Sequence, residues 1–127
     1  MKARLATGLG AALVALALGG AGAAAKPAPD PPERLLVTAR EFSLNLSRLK
    51  LDPGPAIIQL YDFGEDPHDL AVQRVGGGRV FQIPEVLPGE TGSLQMRLKR
   101  RSRYRLWCSL PGHKDLGMYA ALRTKRK

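Results

Sequence analysis

The sequence predicts an all-β protein, an antiparallel β-sandwich or barrel of about eight short strands. Apolar and polar residues alternate at period two in most segments after residue 32, and turn-forming Gly and Pro residues separate these segments. No segment after residue 25 keeps a helical period for three turns. Short strands with such frequent turns are typical of sandwiches and barrels.

The predicted strands are rich in leucine, β-branched and aromatic residues. They are the segments at Leu35 to Val37 and Phe42 to Leu46, and residues 55–63, 68–75, 78–83, 93–98, 103–107 and 118–124. The triplet Gly76 to Gly78 is predicted to be a hairpin-like turn, because the strand, loop and helix of a phosphate-binding loop do not surround it. The sequence contains no internal repeats.

The first 25 residues are predicted to be a secretory signal peptide. Lys2 and Arg4 precede a run without charge from residue 5 to residue 25, and small residues at Ala23 and Ala25 fit cleavage after Ala25. We therefore expect a periplasmic or extracellular protein. The alternative is an N-terminal membrane anchor facing the periplasm, since such a run can span a hydrocarbon core of about 30 Å. Its five glycines favour removal.

The remaining chain is predicted to be a short linker followed by one domain. Residues 26–32 contain four prolines, which favour an extended, solvated linker. Residues 33–127 are enough for one small domain with a single core. The formal net charge of +9 bears on the partners of the protein and not on its fold.

Three sulfur and nitrogen donors lie in one short stretch. Cys108, the only cysteine of the chain, is followed by His113 and Met118, and Pro111-Gly112 favours a turn between them. A lone thiol in an exported protein is explained by pairing with another molecule, by burial or by metal ligation.

Strand parity directs the thiol and a second histidine towards the core. Cys108 shares the parity of Leu106 at the end of one predicted strand, and His68 shares the parity of Leu70 at the start of another. Each alone is more often a buried core residue. Met96 is a competing thioether, but its parity with the neighbouring leucines predicts a place in the core.

The donor set favours copper. Two imidazoles, one thiolate and a weak thioether are the ligands of a blue-copper site. Zinc accepts Cys and His but usually completes its site with more of them. An iron–sulfur cluster needs more thiolates than one, and the C-x-x-C-H motif of attached haem is absent.

His68 followed by Cys108-x4-His113-x4-Met118 resembles the cupredoxins of the plastocyanin and azurin group. The strand pattern of residues 33–127 is similar as well. The resemblance implies a Greek-key β-sandwich with one copper ion that alternates between Cu(II) and Cu(I). It implies that these four residues are the copper ligands, that Met118 is axial and that electrons leave through His113.

One residue departs from the pattern of many relatives. Asp69 follows the first ligand histidine where many cupredoxins carry Asn. We expect its carboxylate to accept hydrogen bonds from the Ser109 hydroxyl or from nearby backbone N–H groups, and such bonds orient metal ligands.

The partner is predicted to be a redox protein, such as a cytochrome, an oxidase or a reductase, with an acidic docking surface. Basic residues are abundant in the C-terminal third, and opposite charge speeds encounter. A solvated sheet face is the plainer explanation of these charges. The candidate docking residues are Leu110, Pro111 and Leu116 near His113, and Arg97, Arg101, Arg103 and Arg105.

Other partners and activities are excluded or kept as alternatives. No nucleic-acid motif is present, contact with anionic lipid is not required, and we expect a monomer. No catalytic triad or carboxylate pair stands out, so an enzyme is not predicted. The alternatives to an electron carrier are a copper carrier that does not cycle and a metal-free interaction domain.

Overall fold

Two β-sheets pack face to face in the computed structural model, which describes residues 19–126. In chain order the strands are β1 (Glu33–Arg40), β2 (Ser43–Leu46), β3 (Lys50–Leu51), β4 (Gly54–Asp62), β5 (His68–Arg74), β6 (Phe81–Val86), β7 (Thr91–Leu98), β8 (Arg103–Trp107) and β9 (Tyr119–Thr124). The strand order is β2-β1-β4-β7 in the first sheet and β3-β9-β8-β5-β6 in the second. No helix occurs within residues 19–126.

The predicted all-β sandwich is confirmed, but the prediction of purely antiparallel sheets was wrong. β1 pairs with β4 in parallel, and β3 pairs with β9 in parallel, while the other pairs are antiparallel. A strand with one buried face alternates in either arrangement, so the pattern does not reveal the direction of its neighbour. The very short β3 raises the described strands to nine.

The core lies between the sheets and is built by alternation along each strand. Leu35, Val37 and Ala39 of β1 are buried, and the residues between them are more exposed. Met96 is buried among the core residues, as its parity predicts. Every residue of the core cluster lies between Leu35 and Leu122, and every described strand lies within residues 33–124. This part of the chain therefore holds every described strand and every residue of the core cluster.

The predicted signal peptide lies mostly outside the described residues. Residues 19–32 are exposed and form neither helix nor strand, and the predicted cleavage after Ala25 stays a prediction. Within residues 19–126, no helix has the length and apolar character needed to cross a bilayer.

The strand directions give the sandwich two distinct ends. β5 begins at His68, β8 ends at Trp107 and β9 begins at Tyr119 at one end, which we call the donor end. β1 and β4 both run towards this end, because the β1–β2 turn contacts His68 there. The opposite end holds the starts of β1, β4 and β8 and the finish of β9.

We predict that Gly92→Ala destabilises the sandwich by about 1–3 kcal/mol. A Cβ at this position would lie 2.5 Å from Ile83 Cγ2 and 3.0 Å from Val86 Cγ2 on β6 of the other sheet. In a strand without such contacts the same change is neutral or stabilising, so the sign of the change in unfolding free energy in urea is diagnostic. Ser93→Ala on the exposed side is the control, and equal stability of the two variants would contradict the close approach of the sheets.

Candidate metal centre

Three donor atoms converge at the donor end. His68 Nδ1 lies 3.2 Å from His113 Nδ1, and Cys108 Sγ lies 3.6 Å from His113 Nδ1. Within residues 19–126, these three side chains form the group whose ligand atoms all lie within 4.8 Å of one another. His68 and Cys108 are fully buried, and His113 is half-buried.

These separations fit one metal ion held by three ligands. Nitrogen and sulfur ligands about 2.0 to 2.3 Å from an ion at the centre of a trigonal plane lie roughly 3.5 to 4 Å from each other. The two direct distances, 3.2 and 3.6 Å, are close to that range. The donors also match the two imidazoles and one thiolate of a blue-copper site.

The backbone around the ligand loop fixes where Cys108, His113 and Met118 lie. The Cys108 N–H donates to the Met118 carbonyl at 3.0 Å, and the Met118 N–H donates to the His113 carbonyl at 3.1 Å. Residues 111–117 form a series of turns between them. Antiparallel pairing of Ala71 with Trp107 places the start of β5 beside the end of β8. The loop therefore carries His113 back over the histidine that begins β5.

Met118, the predicted axial ligand, is completely buried immediately before β9. Its two backbone hydrogen bonds place the residue directly beside Cys108 and His113. The structure thus brings two imidazole nitrogens and one thiol together and places Met118 next to them in the core. Ligation by its sulfur stays a prediction.

Asp69 ties the two ligand-bearing segments together. Its Oδ1 accepts a hydrogen bond from the Ser109 N–H at 2.6 Å, and its Oδ2 accepts one from the Ser109 hydroxyl. The Gln82 side chain donates to the same Oδ2 at 3.3 Å. Because Asp69 follows His68 and Ser109 follows Cys108, these bonds hold two donor residues in register.

Glu41, in the turn between β1 and β2, contacts His68 from the other side, and the sequence analysis missed it. Its Oε1 lies 2.8 Å from His68 Nε2. A ring N–H that donates to a carboxylate places the proton on Nε2 and leaves the lone pair on Nδ1, which faces the other donors. Glu41 is distant from the ligand loop in sequence, so only the fold reveals the contact.

The Glu41 carboxylate is itself held by backbone N–H groups. The Asp66 N–H donates to it at 2.8 Å and the Glu65 N–H at 3.0 Å. The Asp66 bond most of all, with those from Glu65 and His68, lowers the pKa of Glu41 from 4.5 to about 2. Because folding lowers the pKa of Glu41, the ionised carboxylate stabilises the fold at pH values above 4.5, and this contribution is lost as the pH falls towards 2.

Phe42 covers the second histidine. Its ring meets His113 edge to face at a centroid distance of 5.3 Å. The Phe42 carbonyl also lies 2.8 Å from the point where a Cβ would be at Gly117, whose φ of +124° suits glycine. The alternation of the sequence predicts Phe42 in a strand, but the residue lies in the β1–β2 turn and is partly exposed.

The thiol of Cys108 is protected from water. Burial is the main cause that raises its pKa above the ordinary value, and the nearby charge of Asp69 acts in the same direction. The metal-free protein therefore holds a neutral thiol at neutral pH, and binding of a metal as thiolate would release a proton.

The candidate docking residues do not form one surface. Arg97 lies on β7 in the first sheet, Arg101 in the turn after it, and Arg103 and Arg105 on the exposed side of β8 in the second sheet. The apolar candidates lie at the donor end in the ligand loop, where Leu116 is 60% exposed, Pro111 is exposed and Leu110 packs partly against the core. Arg105 alone of the four arginines approaches them, in a groove that it lines with Trp107 and Lys114.

The architecture is shared with solved auracyanins. Auracyanin B matches with 18% identity and a TM-score of 0.59, over 77% of this chain and 93% of its own. The chain has the cupredoxin fold. Auracyanin A, a "blue" copper protein from Chloroflexus aurantiacus, matches with 13% identity and a TM-score of 0.59 over 75% of this chain and 100% of its own. Dithionite-reduced auracyanin from Roseiflexus castenholzii matches with 10% identity and a TM-score of 0.60 over 75% and 98%.

A larger protein shares the cupredoxin fold as a part of its chain. A multicopper oxidase matches with 14% identity and a TM-score of 0.58, over 76% of this chain and 45% of its own. No protein-family model matches the sequence, and no curated protein matches it. The similarity to these proteins therefore lies in the cupredoxin architecture, since at most 18% of the aligned residues are identical.

We predict that Glu41→Ala redistributes the His68 proton between the two ring nitrogens in the metal-free protein. Glu41→Gln keeps an acceptor for Nε2–H and should preserve the wild-type tautomer. Nitrogen NMR of the imidazole measures the tautomer directly. Glu85→Ala, at an exposed position of β6, is the matched control. An unchanged tautomer in Glu41→Ala would show that the carboxylate does not position the ring.

Proposed function

We propose that this protein is a mononuclear type 1 (blue) copper protein that carries single electrons between redox partners. The convergence of His68 Nδ1, Cys108 Sγ and His113 Nδ1 carries the proposal. A buried thiolate with two imidazoles is a donor set for copper, and blue-copper sites use it for electron transfer. Met118, buried beside these residues, is the proposed weak fourth ligand.

The comparisons support the copper assignment and leave the choice between an electron carrier and a copper carrier open. One structural neighbour is described as a blue copper protein, and another was solved after reduction with dithionite. The multicopper oxidase is more than twice as long as the matched region, so its activity does not transfer to this chain. We propose a carrier and not an enzyme, because the site offers no further histidine for a second metal.

The side chains around the centre keep the donors in place. Glu41 holds the His68 proton at Nε2, and Asp69 holds the backbone next to Cys108. Bound copper would supply one-electron exchange between Cu(II) and Cu(I). Two buried donors fixed by hydrogen bonds would move little between the two oxidation states, which suits rapid electron exchange.

The partner is proposed to approach at His113, the least buried of the three donors. Leu116 and Phe42 are exposed next to it and offer an apolar contact. The groove beside this contact carries the positive charges of Arg105 and Lys114. Lys114 Nζ lies 5.4 Å from the centre of the Trp107 ring. An acidic redox protein would complement these charges, as steering by opposite charge speeds encounter.

We also propose that the protein acts outside the cytoplasm. The basic residues and uncharged run at the start of the sequence fit a secretory signal, with a retained anchor as the alternative. The absence of an internal disulfide partner for Cys108 suits a thiol reserved for metal.

We predict that the purified protein turns intensely blue when Cu(II) is added and that Cys108→Ser abolishes this colour. The colour arises from charge transfer between thiolate and copper, so a hydroxyl cannot replace the thiol. Absorption spectroscopy measures it, and reversible voltammetry then tests electron carriage. Colourless Cu(I) binding without a reversible wave would favour a copper carrier, and no binding would refute the copper site.

The thioether assignment has a matched control within the chain. Met118→Leu should change the reduction potential of the copper-loaded protein, whereas Met96→Leu, also buried, should leave it unchanged. Equal potentials in both variants would show that Met118 is core packing and not a ligand.

We predict that Asp69→Asn raises the reduction potential of the copper-loaded protein. The buried carboxylate favours Cu(II) over Cu(I). Asn removes the charge, can still accept the hydrogen bond from the Ser109 N–H, and can donate through its NH2 group to the Ser109 hydroxyl oxygen. A unit charge several ångströms away in a partly buried site is worth about 2 kcal/mol, or on the order of 100 mV for one electron. Voltammetry at constant pH measures it, and an unchanged or lowered potential would refute the proposed effect.

A further inference from the structure

A groove lined by cations lies at the end of the sandwich opposite the donors. Its lining contains six exposed cations and no carboxylate. We call these six residues the basic groove. They are Lys50, Arg101, Arg103, Arg123, Lys125 and Arg126.

The sheet places three of these cations in one row. Arg103 lies directly opposite Arg123 in the antiparallel pair of β8 and β9, and Arg123 lies beside Lys50 in the parallel pair of β9 and β3. Like charges directly opposite each other destabilise a sheet. Neutralisation by a bound anionic surface would relieve this repulsion, so the row is better suited to a negative partner than to water.

The basic groove is too distant from the donors to be the contact for electron transfer. β8 begins at Arg103 and ends at Trp107, next to Cys108. At about 3.3 Å per residue, the strand separates the groove from the thiol by roughly 17 Å. A redox protein seated in the groove would lie far from His113, at the wrong end of the sandwich.

The N-terminal part of the chain reaches the sandwich at the same end as the basic groove. β1 begins at Glu33, which pairs with Ala56 near the start of β4. Residues 26–32 connect this end to the uncharged run of residues 5–25. In an extended polyproline conformation these seven residues span about 22 Å at most. In the retained-anchor alternative, lipid contact by the run would therefore bring the basic groove close to a bilayer surface.

The carboxylates at this end do not cancel the charge. Glu33 pairs with Arg48 at 2.8 Å, and Asp52 pairs with Lys125 at 3.2 Å. Five cations of the basic groove have no described ion pair within residues 19–126. A flat anionic surface can contact several of them at once, and each lysine or arginine near such a surface strengthens binding.

We propose that the basic groove docks on an anionic phospholipid surface and that docking leaves the donor end facing away from the membrane. In this orientation His113 stays accessible to a soluble redox partner while the protein remains at the bilayer. The proposal rests on charge and topology and does not require copper in the site.

The test uses a chain that begins at Lys26, because this chain holds every described strand and core residue without the uncharged run. Binding to phosphatidylcholine vesicles is measured by sedimentation with and without phosphatidylglycerol. We expect binding only when the anionic lipid is present, and we expect added salt to weaken it. Arg103→Gln/Arg123→Gln should weaken binding by about tenfold or more, since it removes two cations from the row.

Arg40→Gln/Lys114→Gln removes the same charge at the donor end and is the matched control. The control should bind anionic vesicles far better than the groove variant, and urea unfolding should show the groove variant to be at least as stable as wild type. Equal loss in both variants would mean non-specific attraction and would overturn the proposal. It would also be overturned by equal binding to both kinds of vesicle, or by a groove that binds polyglutamate and not the anionic vesicles.

Discussion

The pairing of β5 with β8 is the constraint on which the candidate metal centre depends. Ala71 of β5 lies opposite Trp107 of β8. The start of β5, which carries His68, therefore lies beside the end of β8, which leads into Cys108, at the donor end. The ligand loop then returns to the sheet through the backbone bond between Cys108 and Met118. Once these contacts exist, His113 has little freedom, since its own carbonyl is bonded to the Met118 N–H.

The β1–β2 turn completes the centre from the opposite sheet. Glu41 bonds Nε2 of His68, and Phe42 packs against His113. Each histidine is thus contacted by one of two adjacent residues. This β1–β2 turn is itself held by the N–H groups of Asp66 and Glu65, which belong to the loop that leads into β5. The two sheets are therefore connected at the donor end by hydrogen bonds as well as by apolar packing. Such a network favours one arrangement of the donors over many.

The donor residues were accessible to sequence reasoning because their signals are local. Spacing and residue type single out Cys108, His113 and Met118, and strand parity directs His68 inward. The roles of Glu41 and Phe42 were not accessible, since a charged residue and an aromatic residue in a turn give no local sign of what they contact. The parallel pairing of β1 with β4 was missed for a similar reason, because alternation specifies the buried face of a strand and not the direction of its neighbour.

The division of charge between the two ends follows from the same topology. The loop before β5 brings Glu65 and Asp66 to the donor end, where Arg40 and Lys114 also lie, while the β7–β8 turn and the end of β9 bring a group of arginines and lysines to the other end. The net charge of +9 is therefore not spread evenly over the surface. A field concentrated at one end orients a molecule before contact, whereas an even distribution only attracts it. β8 connects the two regions, and its length keeps the positive end from being the place where electrons are exchanged. The cations of the opposite end are thus too far from the donors to serve the redox contact, and the start of β1 beside them agrees with the proposed docking on an anionic surface.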